Sequence, residues 1–143
     1  MTKRHTVGTA VLLSLAIGAT AFAQSAPPIA NRDVIGEWRL AVTPVERQDL
    51  RITFKSRDGD QKLDFPLTIT GQAGGPLACV IDGDPGQCRI RDGKLTVVMA
   101  GGGTRMTFTL TDRTRGGFSG SASIRARMLP IGGQIGSVTM VRR

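Results

Sequence analysis

From residue 36 onward, large apolar side chains return at every second position. Trp38, Leu40 and Val42 share one parity, with Glu37, Arg39 and Ala41 between them; Leu63, Phe65, Leu67 and Ile69 alternate with Lys62, Asp64, Pro66 and Thr68. A period of two sends alternate side chains to opposite faces of an extended strand, whereas a helix needs a spacing of three to four. The run Leu50, Ile52, Phe54 obeys the same rule. So do the segments "LACVID", "QCRIR", "KLTVVMA", "RMTFTLT", "GFSGSASIRA" and "GQIGSVTMV", which are separated by turns rich in Gly, Asp and Pro. No helix is needed, and the chain reads as all-β.

The register is testable within the sequence, because opposed residues of an antiparallel hairpin share a face and their numbers have a constant sum. A two-residue turn at Asp92-Gly93 puts Ile90 opposite Leu95 and Cys88 opposite Val97. A turn at Gly102-Gly103 puts Met99 opposite Met106 and Val97 opposite Phe108. Setting Cys79 opposite Cys88 puts Leu77 opposite Ile90. All three choices keep the large apolar residues on one face, which a one-residue slip would destroy. Eight or nine such strands in a meander form a small antiparallel up-and-down barrel, because closure removes exposed edges. A β-sandwich is the alternative. The other face carries Lys, Arg, Asp, Thr and Ser, the reverse of a membrane-spanning barrel.

Ahead of the strands, Lys3, Arg4 and His5 precede an uncharged stretch around "VLLSLAIG" and then Ala21-Phe22-Ala23. This is the pattern of a signal peptide over residues 1–23, too short for a spanning helix of roughly 20 apolar residues. Cleavage after Ala23 implies export to a periplasm or beyond, with no membrane anchor left. Residues 24–32 begin with Gln24, Ser25, Ala26, Pro27, Pro28 and Ile29, a Pro-rich extended arm outside the core. Residues 33–143 form one barrel domain.

Composition then narrows function. The only histidine, His5, leaves with the leader, and the chain has no tyrosine. Imidazole bases, Cys-His pairs and His-containing zinc sites therefore have no residues to use. The acidic residues fall at outward or turn positions, where nothing desolvates a general acid. A non-enzymatic protein without metal or cofactor is expected. Cys79 and Cys88, the only two cysteines, read as a disulfide in an oxidising compartment.

The formal net charge of +8 loses only Lys3 and Arg4 with the leader. The basic excess lies outside, on Arg89, Arg91, Arg105, Arg113, Arg115, Arg125, Arg127, Arg142 and Arg143. Trp38, Phe54, Phe65, Phe108 and Phe118 follow the inward parity. No aromatic platform remains outside for stacking bases, so nucleic acid is not the expected partner. An anionic envelope component or an acidic protein is.

The tripeptide Gly36-Glu37-Trp38 at the start of the first strand resembles the opening signature of the lipocalins and their calycin relatives. It also resembles, more weakly, the periplasmic inhibitors of bacterial metalloproteases. The first resemblance implies that Trp38 sits at the closed end of the barrel under a basic residue of the last strand, here Arg142. An eight-stranded barrel has room for its own side chains or one small apolar ligand, which Trp38, Gly36 and Arg142 would close off or contact. The second resemblance implies a protease inhibitor acting through the arm from Gln24 to Ile29.

Overall fold

The structure is a computed structural model that describes residues 26–45 and 63–143. The expected leader, Gln24 and Ser25 of the arm, and the run from 50 to 54 lie outside the described residues.

Eight antiparallel strands follow a single turn of helix. The turn is α1 (Asn31–Val34); the strands are β1 (Gly36–Pro44), β2 (Asp64–Gly71), β3 (Leu77–Ile81), β4 (Asp84–Arg91), β5 (Lys94–Gly101), β6 (Thr104–Thr114), β7 (Gly117–Ala126) and β8 (Gly132–Arg142). Each strand pairs with the next, and β1 pairs with β8 from Trp38↔Arg142 to Pro44↔Gly136, which closes the barrel. The sandwich alternative is thereby set aside.

Alternation does the sorting that the period of two requires. Trp38, Leu40, Val42, Phe65, Leu67, Ile69, Leu95, Val97, Phe108, Leu110, Phe118, Val138 and Met140 are buried in one cluster, while Glu37, Arg39, Asp64, Pro66 and Thr68 stay exposed. Phe65 and Phe108 meet at 5.8 Å between ring centroids, tilted at 52°, in the favoured inclined geometry for aromatic pairs.

Three of the hairpins turn on two residues with positive φ: Asp82-Gly83, Asp92-Gly93 and Gly102-Gly103. Two consecutive left-handed residues give the turn whose twist matches that of the flanking strands. The pairs Ile90↔Leu95, Cys88↔Val97, Met99↔Met106 and Val97↔Phe108 are all present.

The β3-β4 register differs from expectation. Cys79 stands opposite Gly86, not Cys88, because the chain reverses at Asp82-Gly83. The disulfide joins Cys79 and Cys88 as diagonal neighbours, with Cα atoms 5.9 Å apart. A shift of two residues keeps every side chain on its face, so alternation alone does not distinguish the two registers.

Two more departures concern the N-terminal segment. Asn31–Val34 is helical where no helix was expected, held by the Asp33 carboxylate accepting the Ala30 N–H at 2.9 Å and by Asp33 N–H donating to the Ala30 carbonyl at 3.0 Å. The arm is not wholly outside the core. Ile29 is 3% exposed, and its N–H donates to the Gly93 carbonyl at 3.2 Å.

Candidate functional site

Two ends of the barrel differ in chemistry. One end carries the start of β1, the β2-β3, β4-β5 and β6-β7 turns, and the end of β8. Here Trp38 is buried, its indole N–H donating to the Val34 carbonyl at 2.6 Å and its ring 5.7 Å from that of Phe118. The Arg142 guanidinium lies 4.3 Å from the Trp38 ring centroid and donates to the Ile35 carbonyl at 3.4 Å. Gly36 makes this possible: its φ is 137°, and a Cβ there would stand 2.5 Å from Arg142 Nη1. The sequence-predicted trio Gly36, Trp38 and Arg142 is thus brought together in one contact.

The segment from Pro27 to Val34 crosses this same end. Asn31 donates from its amide to the Gly75 carbonyl at 2.6 Å. Arg113 donates to the carbonyls of Pro27 and Pro28, both at 3.1 Å, and to Asp33 Oδ2 at 2.6 Å. Its guanidinium carbon also stands 5.5 Å from the Phe118 ring centroid. Arg113 is therefore no ordinary outward arginine. A bulge between Leu110 and Asp112 changes the parity of β6, so that Arg113 pairs with the inward Phe118 and turns over the barrel end. The Asp33 carboxyl is held below the usual carboxylate range, first by the Ala30 amide and then by Arg113. Of the arm proposed as an inhibitory element, Pro27, Pro28 and Ile29 are tied to the protein's own barrel.

The opposite end carries a different arrangement. Arg105 and Arg125 are directly opposed across β6 and β7. Beyond them, Arg105 faces Ala100 on β5 and Arg125 faces Gly132 on β8. Gly132 cannot be replaced cheaply, because a Cβ would approach the Ile124 carbonyl oxygen to 2.7 Å. The outer row across four strands therefore reads Ala100, Arg105, Arg125, Gly132, without a carboxylate. Arg127 extends the cluster, its N–H bound to the Gly103 carbonyl at 2.9 Å. Among the described residues, no carboxylate pairs with the guanidinium of Arg105, Arg125 or Arg127.

These arginines line a groove of about 820 Å³, together with Thr107, Ser123 and the loop residues Leu129, Pro130 and Ile131. Like charges directly opposed in a sheet are destabilising. Basic residues elsewhere among the described residues have acidic neighbours: Arg39 lies 3.5 Å from Asp64, and the Arg91↔Lys94 pair has Asp92 4.0 Å from Arg91. A second recess of about 660 Å³ on the outer face of β1 contains that Arg39-Asp64 pair. The Arg105 groove gathers three guanidinium groups that no carboxylate pairs among the described residues, and it suits an extended or multivalent anion.

Sequence reasoning placed Arg105, Arg125 and Arg127 outside but did not gather them. The β6-β7 turn sets Thr114 opposite Gly117, and continuing that register would put Arg105 opposite Ala126; the bulge moves Arg125 into its place.

Compared with known proteins, the chain matches no family model, no curated protein and no solved structure. Among the described residues, no three His, Cys, Asp or Glu side chains are placed to hold a metal, and no helix is long and apolar enough to cross a membrane.

Proposed function

We propose that the protein is a non-enzymatic, exported binding module that docks an anionic component of the cell envelope in the Arg105, Arg125, Arg127 groove. The observation that carries this reading is the opposed pair Arg105↔Arg125, flanked by Ala100 and Gly132 instead of acidic residues. Such a pair costs stability in the free protein and is relieved when an anion bridges it. Support for a surface site over a ligand cavity comes from the interior, where Trp38, Phe65, Phe108, Phe118 and Met140 are buried in one cluster. Kinship with the lipocalin and calycin barrels belongs to the same proposal. It is supported by Gly36-Glu37-Trp38 and by the Arg142 guanidinium over Trp38.

The test is titration with a soluble polyanion such as dextran sulfate at low and moderate salt. Binding should weaken as salt screens the groove and should be lost in the triple variant Arg105→Gln, Arg125→Gln, Arg127→Gln. Undiminished binding by that variant would place the site elsewhere.

A further inference from the structure

The groove has an apolar lip. Between β7 and β8, Met128 is 94% exposed, Leu129 57% and Ile131 48%. On the same rim, Val45 is 45% exposed and its N–H donates to the Ile135 carbonyl at 2.9 Å. Single exposed apolar residues are ordinary. Three within four consecutive positions, on the rim of a groove whose arginines no carboxylate pairs among the described residues, are not. The loop is pinned at its base by Ala126 N–H to the Ile131 carbonyl at 3.0 Å and by Arg127 N–H to the Gly103 carbonyl. The loop is thus closed at its base and leaves Met128 in solvent.

We infer that this end of the barrel docks on an anionic phospholipid bilayer, with Met128 and Leu129 entering the acyl boundary and Arg105, Arg125 and Arg127 meeting lipid phosphates. The inference rests on the proposed groove and specifies its partner. Charge complementarity selects among occupants. A second copy would bring two arginine clusters together, whereas an anionic headgroup layer over hydrocarbon answers both the arginines and the projecting Met128 and Leu129. A bilayer offers phosphate oxygens beside hydrocarbon, the two chemistries that the arginines and the exposed Met128 and Leu129 present on one rim. Trp38, at the other end of the barrel, is kept away from the membrane.

The test uses protein recovered after export, with vesicles of phosphatidylcholine containing phosphatidylglycerol, vesicles of phosphatidylcholine alone, and dextran sulfate. Binding should be confined to the anionic vesicles and dextran sulfate. Replacing the three arginines by Gln should weaken vesicle binding about a hundredfold, at about fivefold for each basic residue near an anionic surface. The variant Met128→Ser, Leu129→Ser should weaken it on the order of tenfold, through lost apolar burial, and leave dextran sulfate binding intact. Leu129→Trp should show a blue-shifted emission with anionic vesicles and none with dextran sulfate, against the constant signal of buried Trp38. Equal vesicle binding by the Met128, Leu129 variant, or no shift from Leu129→Trp, would overturn insertion. Binding to dextran sulfate without any to anionic vesicles would overturn the membrane partner while sparing the groove. Binding to neither would overturn both.

Discussion

Arg142 and Trp38 are directly opposed across the β8-β1 closure, and the guanidinium of one lies 4.3 Å from the ring centroid of the other. The contact seals the end of the barrel where the indole is buried between Phe118 and the Val34 carbonyl. Trp38→Ala should therefore destabilise by about 3–5 kcal/mol as a large-to-small core change. Arg142→Ala should cost about 1 kcal/mol, because it removes an exposed cation-π contact and leaves the core filled. Urea unfolding of both variants checks the order. Equal losses would show that Arg142 supports more than the ring.

Acid should loosen the N-terminal segment first. The Asp33 carboxyl titrates lower in the folded protein than in the unfolded chain. Its contribution is therefore fully present above the unfolded value of about 3.9 and is lost as pH falls through the folded value. Stability of the wild type should fall more steeply below about pH 4 than that of Asp33→Asn, which lacks this titration. Parallel pH profiles for the two proteins would count against the Asp33 and Arg113 linkage.

The opposed arginines predict a trade between stability and binding. Arg125→Gln removes a cross-strand like-charge repulsion and should stabilise the protein by roughly 0.2–1 kcal/mol at low salt. The gain should shrink as ionic strength rises, since the Debye length falls to about 10 Å at 0.1 M. The same variant should bind polyanions less well. Thermal melts at two salt concentrations decide the point, and a variant less stable than wild type would show that Arg125 has a structural partner.

Reducing the Cys79-Cys88 bond should cost about 2–3 kcal/mol, the loop-closure entropy of a link spanning a sequence separation of 9. Melts with and without reductant measure it. The barrel should stay folded when reduced, because β3 and β4 are also held by their ladders to β2 and β5.

Much of the strand content was determined by the sequence alone, since alternation and tight-turn chemistry act over a few residues. Leu95, Val97, Met106 and Phe108 lie inward, and Asp92-Gly93 and Gly102-Gly103 reverse the chain as those short-range rules require. The contact of Trp38 with Arg142 was legible only through resemblance, because no local rule joins residues at the two ends of a chain. Three features depended on the tertiary structure. Register shifts by two leave every face unchanged, so the pairing of Cys79 with Gly86 was invisible to alternation. The stretch Thr111-Asp112-Arg113-Thr114 is polar throughout, so a bulge there interrupts no apolar pattern, yet it carries Arg113 over the barrel end and sets Arg125 against Arg105. The docking of Ile29 beside Gly93 needs the barrel to exist first, since the surface that binds it is assembled from strands distant in sequence. Strands and turns follow from neighbours along the chain, whereas the opposition of Arg105 and Arg125 follows from a single inserted residue that only the strand pairing reveals.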